Sequence, residues 1–303
     1  MNEGAAGASS PNAAGLQPRL LALSCSADAV SVALVGLPDS PTPVIECWHE
    51  PVKAGRSDAL LAMVDGLLRA GGVSARSVSH LVVDVGPGPF TALRVACSVA
   101  QGIGLACGAS FVSVSSTEAL ALQSLQGQGA GEYTVMVSID ARMGEVYVAS
   151  LRVELDARGQ PLGLREVSPC TVVAPAGAWS AAGPGRAFTQ PLTLYGAGNA
   201  RIVMSDFDSM LGDQARQAGW SYQPAAGAVV PRADSVARLG LMRLRHSSQP
   251  RDTDCAAARL PEEPSAPWVS DSVPMPRYVR NKVALDRAEQ AALRASASAS
   301  ARR

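Results

Sequence analysis

A loop rich in glycine and proline joins a short apolar strand to a helix in the first half of the sequence. Residues 84–94 read DVGPGPFTALR and follow a strand predicted at 80–83. Gly86 and Gly88 can adopt backbone angles that are closed to other residues, and Thr91 could cap the helix. Such a loop at a helix N-terminus can cradle an anion. It lacks the Lys-Ser/Thr pair of a P-loop, so the loop alone favours a plain strand-to-helix connector.

Two carboxylates could serve phosphoryl transfer, which requires acidic groups that hold Mg²⁺ and a base for the nucleophile. They are Asp84, beside the glycine loop, and Asp140 in the second half of the chain. One ends a predicted strand and the other begins a turn, so both could equally be structural. A second glycine turn, with Gly196 and Gly198, could retain weak nucleotide binding together with the first.

Metal and nucleophile chemistry has weaker support. His49, His80 and His246 are isolated, and none has the one-turn helical spacing of a metallopeptidase site. No Ser/His/Asp or Cys/His pattern surrounds a serine or cysteine. The six cysteines are widely spaced without a C-x-x-C motif, which indicates reduced core thiols in a cytoplasmic protein. We therefore expect no metal site.

Composition limits the partners that the chain could bind directly. The 303 residues are 47% hydrophobic, and 26 basic residues balance 26 acidic ones, which argues against a strongly basic nucleic-acid surface. Residues 1–18 and 286–303 are predicted to be disordered tails, because they carry too few large apolar side chains to offset ordering entropy. No run is expected to span a membrane.

The helix after the glycine loop carries two stripes. Val95, Val99 and Ile103 form an apolar stripe that we expect to face inward. Small residues recur every four positions in the other stripe, which would allow close approach of another backbone; they are Ala92, Ala96, Ala100 and Gly104. An earlier helix, opened by Ser57 or Asp58, has an apolar face that includes Leu60, Val64 and Leu67.

The two halves of the sequence begin alike. Residues 137–149 can be laid on residues 21–33 without a gap, so that strand, turn and strand coincide. A duplicated hairpin, strand, helix, strand, helix unit indicates an α/β protein of two actin-like (ribonuclease H-like) half-domains, at 19–128 and 129–285. Each such half usually contributes a hairpin with an acidic residue near the phosphates. Here the first of these positions is Ser24 and the second is Asp140.

Three stretches together resemble the TsaB (YeaZ) family. Residues 86–94 are similar to its G-P-G-S-F-T-G-L-R motif, residues 139–147 to I-D-A-R-x-x-E-V-Y, and residues 276–284 to P-x-Y-L-R-N-x-V-A. The matching motif positions include Thr91, Arg94, Arg142, Glu145, Tyr278 and Arg280. The chain departs from the family at Ser24, where Asp is usual, and at Pro89 and Ala92.

The resemblance implies a non-catalytic subunit rather than an enzyme. It implies a TsaD-like catalytic partner that attaches threonylcarbamoyl to adenosine in tRNA, a TsaE-like ATPase, and tRNA contact only through the complex. The family is thought to pair with TsaD, or with a second copy of itself, through two helices. Here these would be the helices with Leu60, Val64 and Leu67 and with Ala92, Ala96, Ala100 and Gly104.

No cofactor is implied for the chain alone, although ATP or ADP could bind at a complex interface. Gly86, Gly88, Asp140, Gly196 and Gly198 would then be a vestigial nucleotide site. Arg142 and Arg280 could contact a phosphate; for Arg142 we favour an ion pair with a carboxylate such as Glu145, and for Arg280 both readings stay open. The alternatives are an actin-like ATPase or kinase acting alone and, third, a metallopeptidase.

Overall fold

The computed structural model describes residues 19–25, 29–36, 45–51, 59–183, 193–225, 227–248, 269–270 and 273–279. Its strands are β1 Arg19–Cys25, β2 Ala29–Gly36, β3 Ile45–Pro51, β4 Val78–Asp84, β5 Ser110–Val114, β6 Gly131–Arg142, β7 Glu145–Leu155, β8 Pro161–Val173, β9 Thr193–Ala197, β10 Ser221–Pro224 and β11 Val269–Ser270. Its helices are α1 Ala59–Ala70, α2 Phe90–Cys107, α3 Ser116–Ser124, α4 Ala178–Ala182, α5 Ala200–Val203, α6 Phe207–Gln217 and α7 Ala233–Ser248.

The first compact unit is built on a six-stranded sheet with the order β11-β5-β4-β1-β2-β3. Strands β1, β2 and β3 are antiparallel neighbours, whereas β4 and β5 run parallel to β1. The strands β1 and β2 are buried over almost their whole length and are mostly apolar, because helices cover both faces of this sheet. Alternate residues point to opposite faces, so Leu81 and Val83 pack with α1 and α2, while Val82 lies against Gly240 of α7.

The second compact unit repeats this plan on a five-stranded sheet with the order β10-β9-β6-β7-β8. Strands β6, β7 and β8 are antiparallel, and β9 and β10 run parallel to β6. Helices α3 and α4 pack on this sheet. A capping box opens α3, where Ser115 accepts from the Glu118 N–H and the Glu118 carboxylate accepts from the Ser115 N–H at 2.7 Å.

The predicted fold class, two mixed sheets flanked by helices, is confirmed. The hairpins β1–β2 and β6–β7, which the sequence alignment superposed, hold equivalent central places in the two sheets. The compact units, however, are not contiguous in sequence. Among the described residues, α7 belongs to the first unit and α3 to the second, whereas the sequence division placed α7 in 129–285 and α3 in 19–128.

Some local predictions were wrong. The segment 175–191 was predicted to be loop, but α4 forms within it, and α6 and β10 were not predicted. The expected caps Ser57 and Asp58 and both predicted tails lie outside the described residues.

The expectation that no run could span a membrane also fails, since α2 is long and apolar enough by length and composition. This is weak evidence for a span, because the core helices of many globular proteins pass the same test, and α2 packs on β4 and β1.

Candidate functional site

Asp84 lies at the end of β4 and is buried together with Ser24 of β1. The Ser24 hydroxyl donates to the Asp84 carboxylate at 2.9 Å, and it also lies 3.3 Å from the Pro231 carbonyl oxygen. Burial, and then the negative charge of Asp84, raise the pKa of the Cys25 thiol to about 11 and that of Cys97 to about 12. These thiols therefore stay protonated at neutral pH, as expected for core cysteines. The Asp84 carboxylate is closed to solvent at 1% exposure.

The glycine loop is a strand-to-helix connector whose backbone is engaged on both sides. The Val85 N–H donates to the Val114 carbonyl, and the Gly86 carbonyl accepts from the Ser116 N–H at 2.8 Å. Gly86 has a φ of 103°, which explains the glycine at this position. The helix begins at Phe90, so Thr91 lies inside its first turn and is not the cap that the sequence predicted.

Motif residue Arg94 lies one helical turn after Phe90, and its guanidinium stacks on the Phe90 ring at 3.7 Å from the centroid. A cation on an aromatic face is stabilised by the ring quadrupole, and stacking also restricts the long side chain. The spacing of Phe90 and Arg94 in the family-like motif thus corresponds to an i, i+4 contact on the helix surface.

The inner face of α2 is the small-residue stripe, which reverses the sequence prediction. Ala96 and Ala100 have no exposed surface, and a side chain at Gly104 would overlap the ring of Phe111 on β5. Val95, Val99 and Ile103, expected inside, are half-buried at the edge of the core. Of the predicted stripe, Ala92 alone is half-exposed. The close approach that small residues permit is therefore used by the chain's own sheet.

Helix α1 requires the same correction. Leu60, Val64 and Leu67 are buried in the core of the first unit and cannot form an outer face. Leu61, about a quarter of a turn around the helix from Leu60, is 57% exposed. On α2 the residues that face solvent include Ser98, Gly102 and Ala106, which are themselves small and four residues apart. A Cβ built at Gly102 meets no atom within 4 Å, so this outer stripe is open.

The second motif forms the β6–β7 hairpin, whose turn has a left-handed backbone. Arg142, Met143 and Gly144 have φ values of 64°, 59° and 74°. The Asp140 carboxylate holds this turn, since it accepts from the Arg142 N–H at 2.8 Å and pairs with the Arg142 guanidinium at 3.2 Å. The predicted ion pair of Arg142 with a carboxylate therefore exists, and the carboxylate is Asp140, whose side chain is 7% exposed.

The second glycine turn lies against this hairpin. The Asp140 N–H donates to the Asn199 side-chain oxygen at 2.8 Å, a contact that sequence reasoning missed. A side chain at Gly198, whose φ is 103°, would overlap the Ser138 backbone, and one at Gly196 would overlap the ring of Tyr222. Both glycines are thus explained by packing within the chain. The structure brings Asp140 and Gly198 together beside Asn199.

The third motif is described up to residue 279, so Arg280 lies outside the described residues. Tyr278 is 49% exposed, and Arg277 pairs with Glu166 of β8 at 3.3 Å. Burial raises the pKa of the Cys170 thiol to about 12, against the opposing effect of nearby Arg277. Burial, and then the Cys170 thiol, raise the pKa of Tyr147 on β7.

The histidines remain isolated in the described part of the chain, where no group of three or more His, Cys, Asp or Glu could hold a metal ion. Burial lowers the pKa of both His49 and His80. His80 shares a hydrogen bond of 2.9 Å with the Ser79 hydroxyl, and His246 lies 2.9 Å from the Met242 carbonyl on its own helix. Each of these contacts is local and structural.

Comparison with known proteins gives consistent similarities. Residues 50–162 match the family model "TsaD: tRNA N6-adenosine threonylcarbamoyltransferase". The tRNA threonylcarbamoyladenosine biosynthesis protein TsaB of Escherichia coli is 32% identical over 131 residues, 43% of this chain and 54% of that protein. TsaB of Haemophilus influenzae is 32% identical over 132 residues, 44% and 53% of the two chains. The chain thus matches about half the length of these curated relatives.

Solved structures extend the similarity over more of the chain. YeaZ from Pseudomonas aeruginosa aligns with a TM-score of 0.56 and 26% identity, covering 76% of this chain and 93% of that one. A second P. aeruginosa structure, described as similar to peptidase YeaZ, aligns with a TM-score of 0.58 and 27% identity over 76% and 94% of the chains. The resemblance to the TsaB (YeaZ) family that the three motifs predict is therefore confirmed by both sequence and structure comparisons.

Proposed function

We propose that the chain acts in the formation of N6-threonylcarbamoyladenosine in tRNA, as a non-catalytic subunit that binds and activates a TsaD-like catalytic subunit. The similarity to TsaB proteins supports the pathway, and the match to the TsaD family model fits the shared fold. A TsaE-like ATPase, a homodimer, tRNA contact through the complex, nucleotide at a complex interface and a cytoplasmic location belong to the same proposal.

The observation that carries the non-catalytic role is that the chain's own groups engage both candidate carboxylates. Asp84 is buried and accepts from Ser24, and Asp140 is held between the Arg142 backbone and guanidinium. The Arg142 guanidinium neutralises the Asp140 carboxylate and would repel a Mg²⁺ ion placed beside it. Asp84 is only 1% exposed, so a Mg²⁺ ion would have to lose its water to reach that carboxylate.

The docking surface in this proposal is the outer face of α2 with the neighbouring outer side of α1. Ser98, Gly102 and Ala106 leave α2 smooth, and Leu61 adds an exposed apolar side chain on α1. Small residues let a partner helix approach closely, and four-residue ridges favour a crossed packing of two helices. These residues replace the buried set that the sequence suggested.

The test uses the full chain and a purified TsaD-like subunit from the same cell. Stable binding, together with loss of threonylcarbamoyladenosine from tRNA when the chain is depleted, is expected. The pure chain should not turn over ATP. ATP turnover that Asp140→Asn abolishes would establish the competing ATPase or kinase function, and a stoichiometric bound metal with peptidase activity would establish the third.

A further inference from the structure

The first turn of α7 is held by a serine of the first hairpin. The N–H of Ala233, the first residue of α7, donates to the Ser31 hydroxyl of β2 at 3.0 Å. The same hydroxyl donates to the Trp48 carbonyl of the edge strand β3 at 3.1 Å. The first N–H groups of a helix have no partner within the helix, so Ser31 supplies one from 202 residues away in the sequence.

His49 lies beside this contact, as the register partner of Ser31 in the β2–β3 ladder. The ring of Trp48 packs against Gly66 of α1, so the next side chain, His49, points to the opposite face of the sheet, which α7 covers. The His49 Nδ1 atom is enclosed and has no hydrogen-bond partner among the residues that the structure describes. Both ring nitrogens of a protonated histidine are donors, so protonation would leave Nδ1 as a buried donor without an acceptor there.

The charged groups of α7 that act on His49 already pair with each other. The Arg232 Nε lies 3.4 Å from the Asp234 carboxylate. Burial lowers the pKa of His49, Arg232 lowers it further, and Asp234 partly opposes them. With neutral His49 this group of three side chains has no net charge. A proton on His49 would add a second positive charge beside a carboxylate that is already paired.

The two strands next to α7 offer no further carboxylate on this face. Strand β2 has no acidic residue, and Glu46 and Glu50 of β3 alternate with His49, so they lie on the Trp48 face. Cys47, on the His49 face, lies 3.6 Å from the Ser31 hydroxyl. Protonated His49 therefore gains no new counter-charge from β2 or β3.

We infer that the docking of the first turn of α7 on β2 and β3 is sensitive to acid: the turn stays docked while His49 is neutral and is released when His49 takes up a proton. Release breaks the contact between Ala233 and Ser31 and lets Arg232 move away from the imidazolium. Docking is complete above pH 6.5 and weakens as the pH falls, because the docked state disfavours the protonated ring.

The experiment measures amide hydrogen exchange at Ala233 by NMR in the full chain between pH 7.5 and pH 5. The protection factor, which corrects for the intrinsic exchange rate, reports the opening of the turn. Opening should increase several-fold on acidification, with a limit of about thirtyfold if His49 titrates near pH 6.5 only in the released turn. His49→Gln should remove this increase. Arg232→Gln should reduce it, because protonated His49 could then pair with Asp234.

His80→Gln is the matched control, because burial also lowers the pKa of His80, which lies on β4 beside Ser79. It should leave the pH dependence at Ala233 unchanged. If His80→Gln removes that dependence, Ala233 exchanges only through global unfolding and the inference is wrong. Equal protection at pH 7.5 and pH 5, or the same pH dependence in His49→Gln as in the wild type, would also overturn it.

A measurement on the wild-type chain covers the case in which His49→Gln does not fold. The imidazole signals of His49 are followed by NMR as the pH is lowered, together with the amide signal of Ala233. A His49 midpoint below pH 6.5 that coincides with a shift of the Ala233 amide would support release of the turn. A midpoint at or above pH 6.5, or an Ala233 signal that does not respond, would refute it.

Discussion

Arginine substitutions at two positions of α2 distinguish a residue of the core from a residue of the proposed docking face. Ala96 and Gly102 are six residues apart on one helix, with Ala96 fully buried and Gly102 open to solvent. Replacing Ala96 with Arg would place an unpaired charge in the core of the first unit. Such a charge costs several kcal/mol, a large part of the ~5–15 kcal/mol that holds a domain together. Ala96→Arg should therefore unfold the chain or lower its melting temperature steeply.

Gly102→Arg should leave the fold intact or strengthen it. Arginine is a better helix former than glycine by roughly 0.5–1 kcal/mol, and a Cβ at this position meets no atom within 4 Å. The melting temperature should rise by about 1–4 °C. Binding to the TsaD-like subunit should fail, since burying the new charge at an interface would cost about 4 kcal/mol, or roughly a thousandfold in Kd.

The melting temperature and the calorimetric Kd for the TsaD-like subunit, measured for both variants, test whether Ala96 lies in the core and Gly102 in the proposed docking face. Gly102→Ala is the control for backbone effects, because it adds helix propensity with one methyl group and should disturb docking far less than Arg. A Gly102→Arg chain that melts normally and still binds the partner with wild-type Kd would refute the placement of the docking face. An Ala96→Arg chain with normal melting would refute the burial argument itself.

Four further outcomes are expected. Ser24→Asp should destabilise the chain by several kcal/mol at neutral pH and less at pH 4, because its new carboxylate would face buried Asp84. The variant should not gain ATP turnover. Equal melting temperatures of wild type and variant at pH 7 would contradict the expected repulsion between the two carboxylates. Gly198→Ala should lower the free energy of unfolding by several kcal/mol, since both the φ of 103° and the Ser138 backbone oppose a side chain. Chemical denaturation measures this loss. Gly129→Ala is the control, because a Cβ at Gly129 meets no atom within 4 Å. Asp140→Asn should loosen the hairpin turn, seen as faster amide exchange at Arg142. Burial lowers the pKa of His80 in the folded chain below the value near 6.5 of the unfolded chain. The contribution of neutral His80 to the free energy of unfolding is therefore complete above pH 6.5 and falls on acidification. The His80→Gln variant should lose less stability than the wild type between pH 7 and pH 5.

The sequence alone determined the fold class and the resemblance to TsaB (YeaZ) proteins. Alternating and continuous apolar runs predicted most of the strands, because a sheet covered on both faces needs apolar residues along its whole length. Matching hairpins in the two halves predicted the duplication, and three motifs indicated TsaB proteins. These signals are local, so they can be read along the chain before any tertiary contact is known.

The direction that each helix faces was decided by the tertiary structure. Helix α2 carries two small-residue stripes, one through Ala96 and Ala100 and one through Ser98 and Gly102, and both have the same four-residue period. Their periodicity cannot tell which stripe meets the sheet. The ring of Phe111 on β5 fills the space beside Gly104, and this contact determines that the stripe with Ala96 and Ala100 faces the sheet.

The residues that contact Asp84 and Asp140 likewise come from distant parts of the sequence. Ser24 and Asp84 are 60 residues apart, and Asp140 and Asn199 are 59 apart. No spacing rule connects such positions, because parallel strands bring their ends together only after the sheet has formed. The sequence therefore identified Asp84 and Asp140 as carboxylates that could bind a metal, and only the folded chain revealed that serine and arginine side chains already engage them.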